Sequence, residues 1–169
     1  MNNSAEAIYA KAGELVAVSR LKGLTFGFAE SLTGGLISAS VVNIPGASAS
    51  FKGSVVSYTN EIKENVLGVP KELIDTYTEV SEECARAMAE GALNVLGVDI
   101  AVSVTGIAGP TGELPGKPIG TVYMGYCCVK GNISGTLRLN FEGDRDTIRT
   151  CTVLAALSQA VALIKDGKD

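Results

Sequence analysis

The chain has 169 residues, of which 46% are hydrophobic and 5% aromatic, and its formal net charge at pH 7 is -4. This length and composition predict a single domain over residues 1–169, with a core built mainly from aliphatic side chains. The 14 basic residues are scattered, which argues against general nucleic-acid binding. Neither a bilayer-spanning apolar run nor a signal-peptide pattern is visible. We therefore expect a cytoplasmic protein that binds neither nucleic acid nor membrane.

The sequence contains no histidine. This removes Ser-His-Asp and Cys-His catalysis and His-ligated metals at once. The four cysteines lack C-x-x-C spacing, so we expect buried reduced thiols and no metal. No two glycines are separated by a single residue, which excludes the G-x-G dinucleotide fingerprint, and we expect no cofactor. Any hydrolytic chemistry must use a base other than imidazole.

The first half of the chain alternates predicted helices and strands. They are a helix over 4–21, a strand over 24–29, a helix from Thr33 to about Val42 behind a Ser or Thr cap, and a strand over Gly53–Thr59. Asn60 is expected to cap a short helix that contains Lys63. The turn at 68–70 then ends this half.

The second half adds a helix, a strand, a hairpin and a last helix. They are a helix over Ser81–Leu96, a strand over Asp99–Thr105, a loop over 106–120, paired strands over 121–129 and 133–141, and a helix from Asp144 to about Lys165. Strands separated by helices predict an α/β fold with a mainly parallel sheet covered on both faces, to which the late hairpin adds antiparallel strands.

Polar residues follow three of the predicted strands. The carboxyl ends of parallel strands meet at one edge of a sheet, which is where ligands gather in open α/β folds. That edge would receive Glu30 and Ser31, the segment 58–60 with Lys63, and Thr105 with Gly106. We expect a functional cleft there.

Ser31 is a candidate nucleophile because it lies in a strand-to-helix turn. Gly34 and Gly35 follow it, and their unshielded backbone N–H groups suit an oxyanion or a phosphate. The alternative is that Ser31 or Thr33 only caps the helix.

Lys63 is the candidate base. Its pKa would have to fall by about three units to serve near neutral pH, through burial or a neighbouring positive charge. The alternative is a solvated lysine on a polar helix face. Thr105 either directs its hydroxyl into the cleft or only ends its strand.

Two further segments are candidates for ligand contact. The loop over 106–120 contains five glycines and three prolines, and it is either a lid over the cleft or a surface connection. Lys117 within it is available to an anion. Arg145 lies between Asp144 and Asp146. Either these carboxylates hold its guanidinium so that it can bind a phosphate or carboxylate, or it forms a surface ion pair with them.

Five segments in order resemble the C-terminal domain family of the competence/damage-inducible protein CinA. They are AESLTGG at 29–35, GSVVSYTNEIK at 53–63, SVTGIAGP at 103–110, KPIGTVY at 117–123 and FEGDRD at 141–146. The standalone members of this family are nicotinamide-nucleotide amidases. The family pattern often has Cys where this chain has Leu32. Longer members carry an additional N-terminal domain, whose activity is not carried over.

The resemblance implies an α/β/α sandwich that hydrolyses the carboxamide of nicotinamide mononucleotide. It implies that the family's serine is Ser31, its lysine Lys63 and its strand-end hydroxyl Thr105. Backbone N–H groups near Gly34, Gly35 or Gly106 would hold the oxyanion. The residues expected to orient the small-molecule nucleotide are Glu30, Tyr58, Asn60 and Arg145, with Arg145 assigned to the phosphate.

Two questions stay open at the sequence level. The same edge of the sheet would also suit a non-catalytic nucleotide-binding or protein-interaction module, or an amidase for another substrate. Apolar edge strands would permit a homo-oligomer.

Overall fold

The computed structural model describes residues 3–166, which form six α-helices, one short 3-10 helix and five strands. In chain order they are α1 (Asn3–Lys22), β1 (Phe26–Glu30), α2 (Leu36–Val42), the 3-10 helix (Ala47–Ala49), β2 (Phe51–Val56), α3 (Asn60–Asn65), α4 (Lys71–Tyr77), α5 (Glu82–Leu96), β3 (Ile100–Gly106), β4 (Thr121–Cys128), β5 (Ile133–Asn140) and α6 (Arg145–Asp166).

The five strands form one mixed sheet in the order β2-β1-β3-β4-β5. β1 runs parallel to both β2 and β3, whereas β4 and β5 add the antiparallel hairpin. In this register Glu30 at the end of β1 lies beside Val56 of β2 and Val104 of β3. The carboxyl ends of the three parallel strands therefore meet at one edge, as predicted.

Side-chain alternation along the strands divides the core into two layers. Phe26 and Phe28 of β1 face a cluster that includes apolar side chains of α1, α2 and α6. Ala29 faces the opposite cluster, which α4 and α5 cover. This arrangement is a three-layer α/β/α sandwich, and it confirms the predicted fold class.

Helix α6 is apolar enough over Arg145–Lys165 to cross a membrane by length and composition alone, with a mean hydropathy of 1.5. Half of that window is buried inside the protein, and Ile148, Leu157 and Ile164 belong to the core. The hydropathy of α6 is therefore that of a core helix in an α/β domain.

Three predictions about helices are corrected by the structure. Helix α2 begins at Leu36 rather than Thr33, because Gly34 and Gly35 adopt positive φ angles of 60° and 99° and delay the helix. Its N-cap is Gly35, with no side-chain cap from Ser31 or Thr33.

The other two corrections concern α3 and α4. Thr59, not Asn60, caps α3, because its extended backbone lets the side chain accept a hydrogen bond from Ile62 N. Helix α4, over Lys71–Tyr77, was not predicted. It starts after Pro70 without a side-chain cap, so the usual start signal is missing from the sequence. By contrast, the helix predicted over Ser81–Leu96 is confirmed as α5, which Ser81 caps and which ends at Gly97 in a left-handed conformation.

Candidate active site

A cleft of about 260 Å³ opens at the edge where β1 and β3 end. The turn after β1 forms one part of its wall, the segments after β2 and α4 a second part, and the loop after β3 the rest. Its lining residues are Ser31, Leu32, Tyr58, Lys63, Glu79, Val80, Thr105, Gly106, Ile107, Ala108, Gly109, Thr111, Gly112 and Arg145.

Ser31 and Lys63 meet inside this cleft. Lys63 Nζ lies 3.1 Å from Ser31 Oγ, which is hydrogen-bonding distance. Ser31 is held by its backbone N–H, which donates to Val104 O at 3.1 Å. Lys63 reaches inward from α3, whose start is fixed by the Thr59 cap. Two residues that are 32 positions apart in the chain thus form one hydroxyl–amine pair.

The Lys63 side chain is almost completely buried, with 1% of its surface exposed. Desolvation lowers the pKa of Lys63 below its ordinary value of 10.5, and the negative charge of the Glu79 carboxylate opposes the shift. Among the described residues, no carboxylate forms a salt bridge with Lys63. The solvated-lysine alternative is therefore wrong, and the site favours a neutral amine.

Three oxygen atoms surround the Lys63 amine. Ser57 O lies at 2.8 Å, Tyr58 O at 3.4 Å and Ser31 Oγ at 3.1 Å. A neutral amine has two N–H groups and one lone pair, and a carbonyl oxygen can only accept. The two N–H groups therefore donate to the carbonyls of Ser57 and Tyr58, and the lone pair is left for the Ser31 O–H group. This geometry suits proton transfer from serine to lysine.

Glu30 lies directly before Ser31 and is fully buried. One carboxylate oxygen accepts from Thr33 Oγ1 at 2.8 Å and from the backbone N–H groups of Gly35 and Ile37 at 3.0 Å each. The other accepts from the N–H and hydroxyl of Ser38 and from Ser54 Oγ. Apart from the contact with Ser54 of β2, these contacts serve the turn and the start of α2, and Glu30 is not part of the cleft wall.

Arg149 of α6 holds the same turn from the other side. Its Nε donates to Leu32 O at 3.0 Å, and its Nη2 donates to Thr33 O at 3.1 Å. Its Nη1 is 3.7 Å from Asp146 Oδ1. The turn between Ser31 and α2 is thus fixed by a buried carboxylate and by a guanidinium that spans two carbonyls.

Thr105 lines the cleft at the end of β3, and its hydroxyl donates to Glu79 O at 2.7 Å. It therefore joins β3 to the segment between α4 and α5 and makes no hydrogen bond with Lys63 among the described contacts. Glu79 was not singled out in the sequence. It belongs to the segment after the unpredicted α4, so no sequence signal placed it here.

The three glycines proposed as oxyanion donors differ in whether their N–H groups are already hydrogen-bonded and in whether they line the cleft. The Gly34 N–H donates to Ser31 O, and the Gly35 N–H donates to Glu30, so both donors are already used. Neither glycine lines the cleft, whereas Gly106 does. A Cβ atom at Gly106 would come within 2.7 Å of Thr121 O, which means that close packing on β4 requires glycine there.

Tyr58 and Arg145 lie together at the mouth of the cleft. Arg145 donates to Gly109 O at 2.7 Å, and its Nη2 is 3.4 Å from Tyr58 Oη. Among the described contacts Arg145 forms no ion pair with Asp144 or Asp146, which corrects the expectation that they hold it. Asp144 instead accepts from Thr147 N at the start of α6, and Asp146 contacts Arg149.

Asn60 is exposed and does not line the cleft. It is the first residue of α3. Asn60 was expected to orient the nucleotide, and its position outside the cleft wall does not favour that role. Of the side chains predicted for the site, those that the structure brings together at the cleft are therefore Ser31, Lys63, Thr105, Tyr58 and Arg145.

The loop over 106–120 is anchored in the structure rather than free. Lys117 Nζ donates to Tyr77 O and Thr78 Oγ1, each at 3.0 Å. Arg138 donates to Gly116 O at 2.8 Å. The Lys117 amine is engaged by neutral oxygens, so the structure gives it a tethering role and not the anion contact considered from sequence.

The cysteines behave as predicted where they are buried. Cys84, Cys127 and Cys128 are buried and free, and Cys151 is half-buried and free. Burial raises the pKa of Cys84 to about 11 and that of Cys127 to about 11, so both are thiols at neutral pH. Within residues 3–166, no group of three His, Cys, Asp or Glu side chains is placed to hold a metal ion.

Comparison with known proteins identifies relatives over nearly the whole chain. The CinA C-terminal domain family matches residues 9–164. A CinA-like protein from Dictyoglomus thermophilum is 52% identical over 136 residues, covering 80% of this chain and 33% of that protein. A CinA-like protein from Thermotoga neapolitana is 46% identical over 142 residues, covering 84% of this chain and 34% of that protein. The chain thus spans about a third of the length of the curated relatives it matches.

Solved structures give the same result. The competence/damage inducible protein from Agrobacterium tumefaciens superposes with a TM-score of 0.90 at 36% identity, covering 93% of this chain and 95% of that one. The competence damage-inducible protein A from Klebsiella pneumoniae superposes with a TM-score of 0.91 at 31% identity, covering 95% of this chain and 99% of that one. With sequence, fold and family match in agreement, the chain belongs to the CinA family and corresponds to its C-terminal domain.

Proposed function

We propose that this protein is an amidase that converts nicotinamide mononucleotide to nicotinate mononucleotide and ammonia, with Ser31 as nucleophile and Lys63 as general base. The observation that carries the proposal is the buried Lys63 amine 3.1 Å from Ser31 Oγ, with two backbone carbonyls accepting its N–H groups. In a chain without histidine, this pair supplies the activated hydroxyl that acyl transfer requires.

The first half of the reaction forms an acyl enzyme. Ser31 Oγ attacks the carboxamide carbon while its proton passes to the Lys63 lone pair, and the carbonyl oxygen becomes an oxyanion. When the tetrahedral intermediate collapses, the C–N bond breaks, and the Lys63 ammonium returns the proton to the departing nitrogen as ammonia. A lysine whose pKa is lowered by burial is suited to both transfers, because its neutral amine takes the serine proton and its ammonium gives that proton up more readily than an ordinary lysine does.

The second half consumes water. A water molecule takes the place of ammonia and gives a proton to Lys63 as its oxygen bonds to the acyl carbon. The C–O bond to Ser31 then breaks, and the proton returns to Ser31 Oγ. The products are nicotinate mononucleotide and free enzyme.

The mouth of the cleft supports recognition of the nucleotide phosphate. Arg145 is fixed by Gly109 O and placed beside the Tyr58 hydroxyl, and the remaining guanidinium N–H groups are the donors that a phosphate prefers. Tyr58 is 60% exposed, so its ring is free to lie against the ribose or pyridine. We place the phosphate at Arg145 and the carboxamide at Ser31.

The test is release of ammonia from nicotinamide mononucleotide by the purified protein. We expect Ser31→Ala and Lys63→Met to lower kcat by about 10³-fold or more, as for loss of a nucleophile or its base. Ser40→Ala is a matched control, because Ser40 is half-buried outside the cleft and, among the described contacts, its hydroxyl bonds only Leu36 O within α2. We expect full activity from it.

Two results would reject parts of the proposal. An inactive wild-type protein that is nevertheless stabilised by the nucleotide would favour the non-catalytic binding module, whereas hydrolysis of a different carboxamide would change only the substrate. Full activity of Ser31→Ala would remove the nucleophile.

A further inference from the structure

The turn after Ser31 contains backbone N–H groups whose orientation decides whether an oxyanion can be held. The Leu32 N–H and the Thr33 N–H have no acceptor among residues 3–166, whereas the next two N–H groups donate to Ser31 O and Glu30. Leu32 lines the cleft beside Ser31. The N–H of the residue after a nucleophile is a common oxyanion donor in α/β hydrolases.

Arg149 controls the peptide group that carries the Thr33 N–H. In a trans peptide, the C=O of one residue and the N–H of the next point in opposite directions. Arg149 Nε donates to Leu32 O at 3.0 Å, which directs the Thr33 N–H away from the guanidinium. A second bond, from Nη2 to Thr33 O at 3.1 Å, fixes the following peptide as well.

The Leu32 N–H is fixed by a different contact in the same turn. The Ser31 carbonyl accepts from Gly34 N at 3.1 Å, so the N–H of the Ser31–Leu32 peptide points the opposite way. The Thr33 C=O and the Gly34 N–H belong to one trans peptide group and point in opposite directions. When Arg149 binds Thr33 O, the Gly34 N–H is therefore directed toward Ser31 O. The directions of the Leu32 and Thr33 N–H groups therefore both depend on the position of the Arg149 guanidinium.

We infer that Arg149 is a positioning residue, whose two hydrogen bonds to Leu32 O and Thr33 O preset the Leu32 and Thr33 N–H groups as the oxyanion donors for Ser31. The inference rests on the proposed function, since it assigns the donors of that reaction. Arg149 does not itself line the cleft, and its contacts there are with backbone carbonyls of the turn, so it acts through the turn.

The experiment compares wild type with Arg149→Gln, Arg149→Lys and Asp146→Asn, using nicotinamide mononucleotide and measuring ammonia. We expect Arg149→Gln to lower kcat by about 100-fold, as for loss of an oxyanion donor, with little change in KM. Arg149→Lys should fall nearly as far, because an ammonium is a point charge that cannot span two carbonyls. If Arg149→Gln does not fold, Arg149→Lys provides the same test.

The control separates the two carbonyl contacts of the Arg149 guanidinium from its ion pair with Asp146. Asp146→Asn removes the 3.7 Å contact to Arg149 Nη1 and leaves both carbonyl contacts in place, so its kcat should equal that of wild type. The pH midpoint of the rate should be unchanged in all variants, because Arg149 has no contact with Lys63. A kcat for Arg149→Gln within twofold of wild type, an effect on KM alone, or a shifted pH midpoint would overturn the inference.

A fluorophosphonate probe gives a readout that does not depend on the substrate. Ser31 Oγ bonds to phosphorus, fluoride leaves, and Lys63 takes the serine proton, while the developing charge on the phosphoryl oxygen requires the same donors. Labelling of Ser31, followed by mass spectrometry, should be slowed in Arg149→Gln even if nicotinamide mononucleotide is not the substrate. Equal labelling rates, or no labelling of wild type, would overturn the inference. Normal labelling without ammonia release in the wild type would reject only the substrate.

Discussion

At the scale of single residues, Lys63 is placed where its charge is least favourable. Desolvation lowers its pKa below 10.5, and the surrounding oxygens belong to neutral groups. Glu30, next to Ser31, is engaged by the turn and α2, and Glu79, whose charge opposes the shift, forms no salt bridge with Lys63 among the described residues. Because its pKa is lowered, Lys63 is neutral at a lower pH than an ordinary lysine, and its lone pair is then available to take the Ser31 proton.

The pKa of Lys63 predicts how rate and stability depend on pH. The proposed reaction needs the neutral amine, so kcat/KM should rise with pH and level off above the lowered pKa, below 10.5. Between the lowered pKa and 10.5 the unfolded chain binds the extra proton, so the stability of wild type relative to Lys63→Met should increase as pH rises. Initial rates and thermal melts over this range measure both.

The matched control for stability is Lys71→Met. Lys71 is exposed and paired with Asp75, which raises its pKa, so the stability of wild type relative to this variant should decrease as pH approaches the raised pKa. A rate that does not change with pH, together with parallel stability curves for the two variants, would contradict the assignment of Lys63 as a buried neutral base.

Residue types and spacing placed Ser31 and Lys63 as candidates at one edge of the sheet, and the family resemblance assigned them as a pair, but neither predicted the contacts around them. Glu30 was expected to bind the nucleotide because it lies next to Ser31. A polar residue at a strand end can point along the strand or back into the helix that follows, and the sequence does not distinguish these directions. Arg149 was missed for a similar reason, since its partners are backbone carbonyls, which leave no trace in residue identity.

At the scale of secondary structure elements, the long periodic helices and the strands were predicted near their observed bounds. The failures were α4 and the start of α2. Helix α4 has seven residues and no side-chain cap, so neither periodicity nor capping could signal it. The start of α2 depends on a capping carboxylate six residues earlier in the chain, at Glu30, which is outside the local patterns used for caps.

The loop over 106–120 is the element whose behaviour is most open to test. Lys117 joins it to the end of α4 through Tyr77 O and Thr78 Oγ1, and Thr78 is held at a positive φ of 72° there. Lys117→Met removes both bonds and keeps most of the side-chain volume. We expect faster hydrogen exchange over 111–118 and an increase in KM of about threefold or more, since a mobile cleft wall must be ordered on binding.

Lys52→Met is the matched control for the loop, because Lys52 is exposed on the edge strand β2, away from the cleft. Its exchange pattern over 111–118 should match that of wild type. Unchanged exchange in Lys117→Met would show that Arg138 and the local turn are sufficient to hold the loop.

At the scale of the whole molecule, the packing of α5 on the sheet connects the core with the site. Gly125 of β4 lets α5 approach so closely that a Cβ atom there would lie 2.1 Å from Ala85 O. Ser103 of β3 donates to the same carbonyl. The neighbouring Cys84 lies close enough to Lys63 to affect its pKa, so how closely α5 packs on the sheet helps to define the surroundings of the Lys63 amine.

Gly125→Ala should therefore affect stability and activity together. The added methyl group forces α5 outward, with an expected loss of about 1–3 kcal/mol in the free energy of unfolding and a fall in Tm of about 2–4 °C for each kcal/mol. The displacement should also raise the pH midpoint of the rate, because water reaching Lys63 weakens the desolvation that lowers its pKa. Gly13→Ala is the control: a Cβ at this position in α1 meets nothing within 4 Å, and replacing a helical glycine should stabilise the protein by about 0.5–1 kcal/mol. Equal melting temperatures and equal pH midpoints for Gly125→Ala and wild type would mean that the sheet accommodates the methyl group without moving α5.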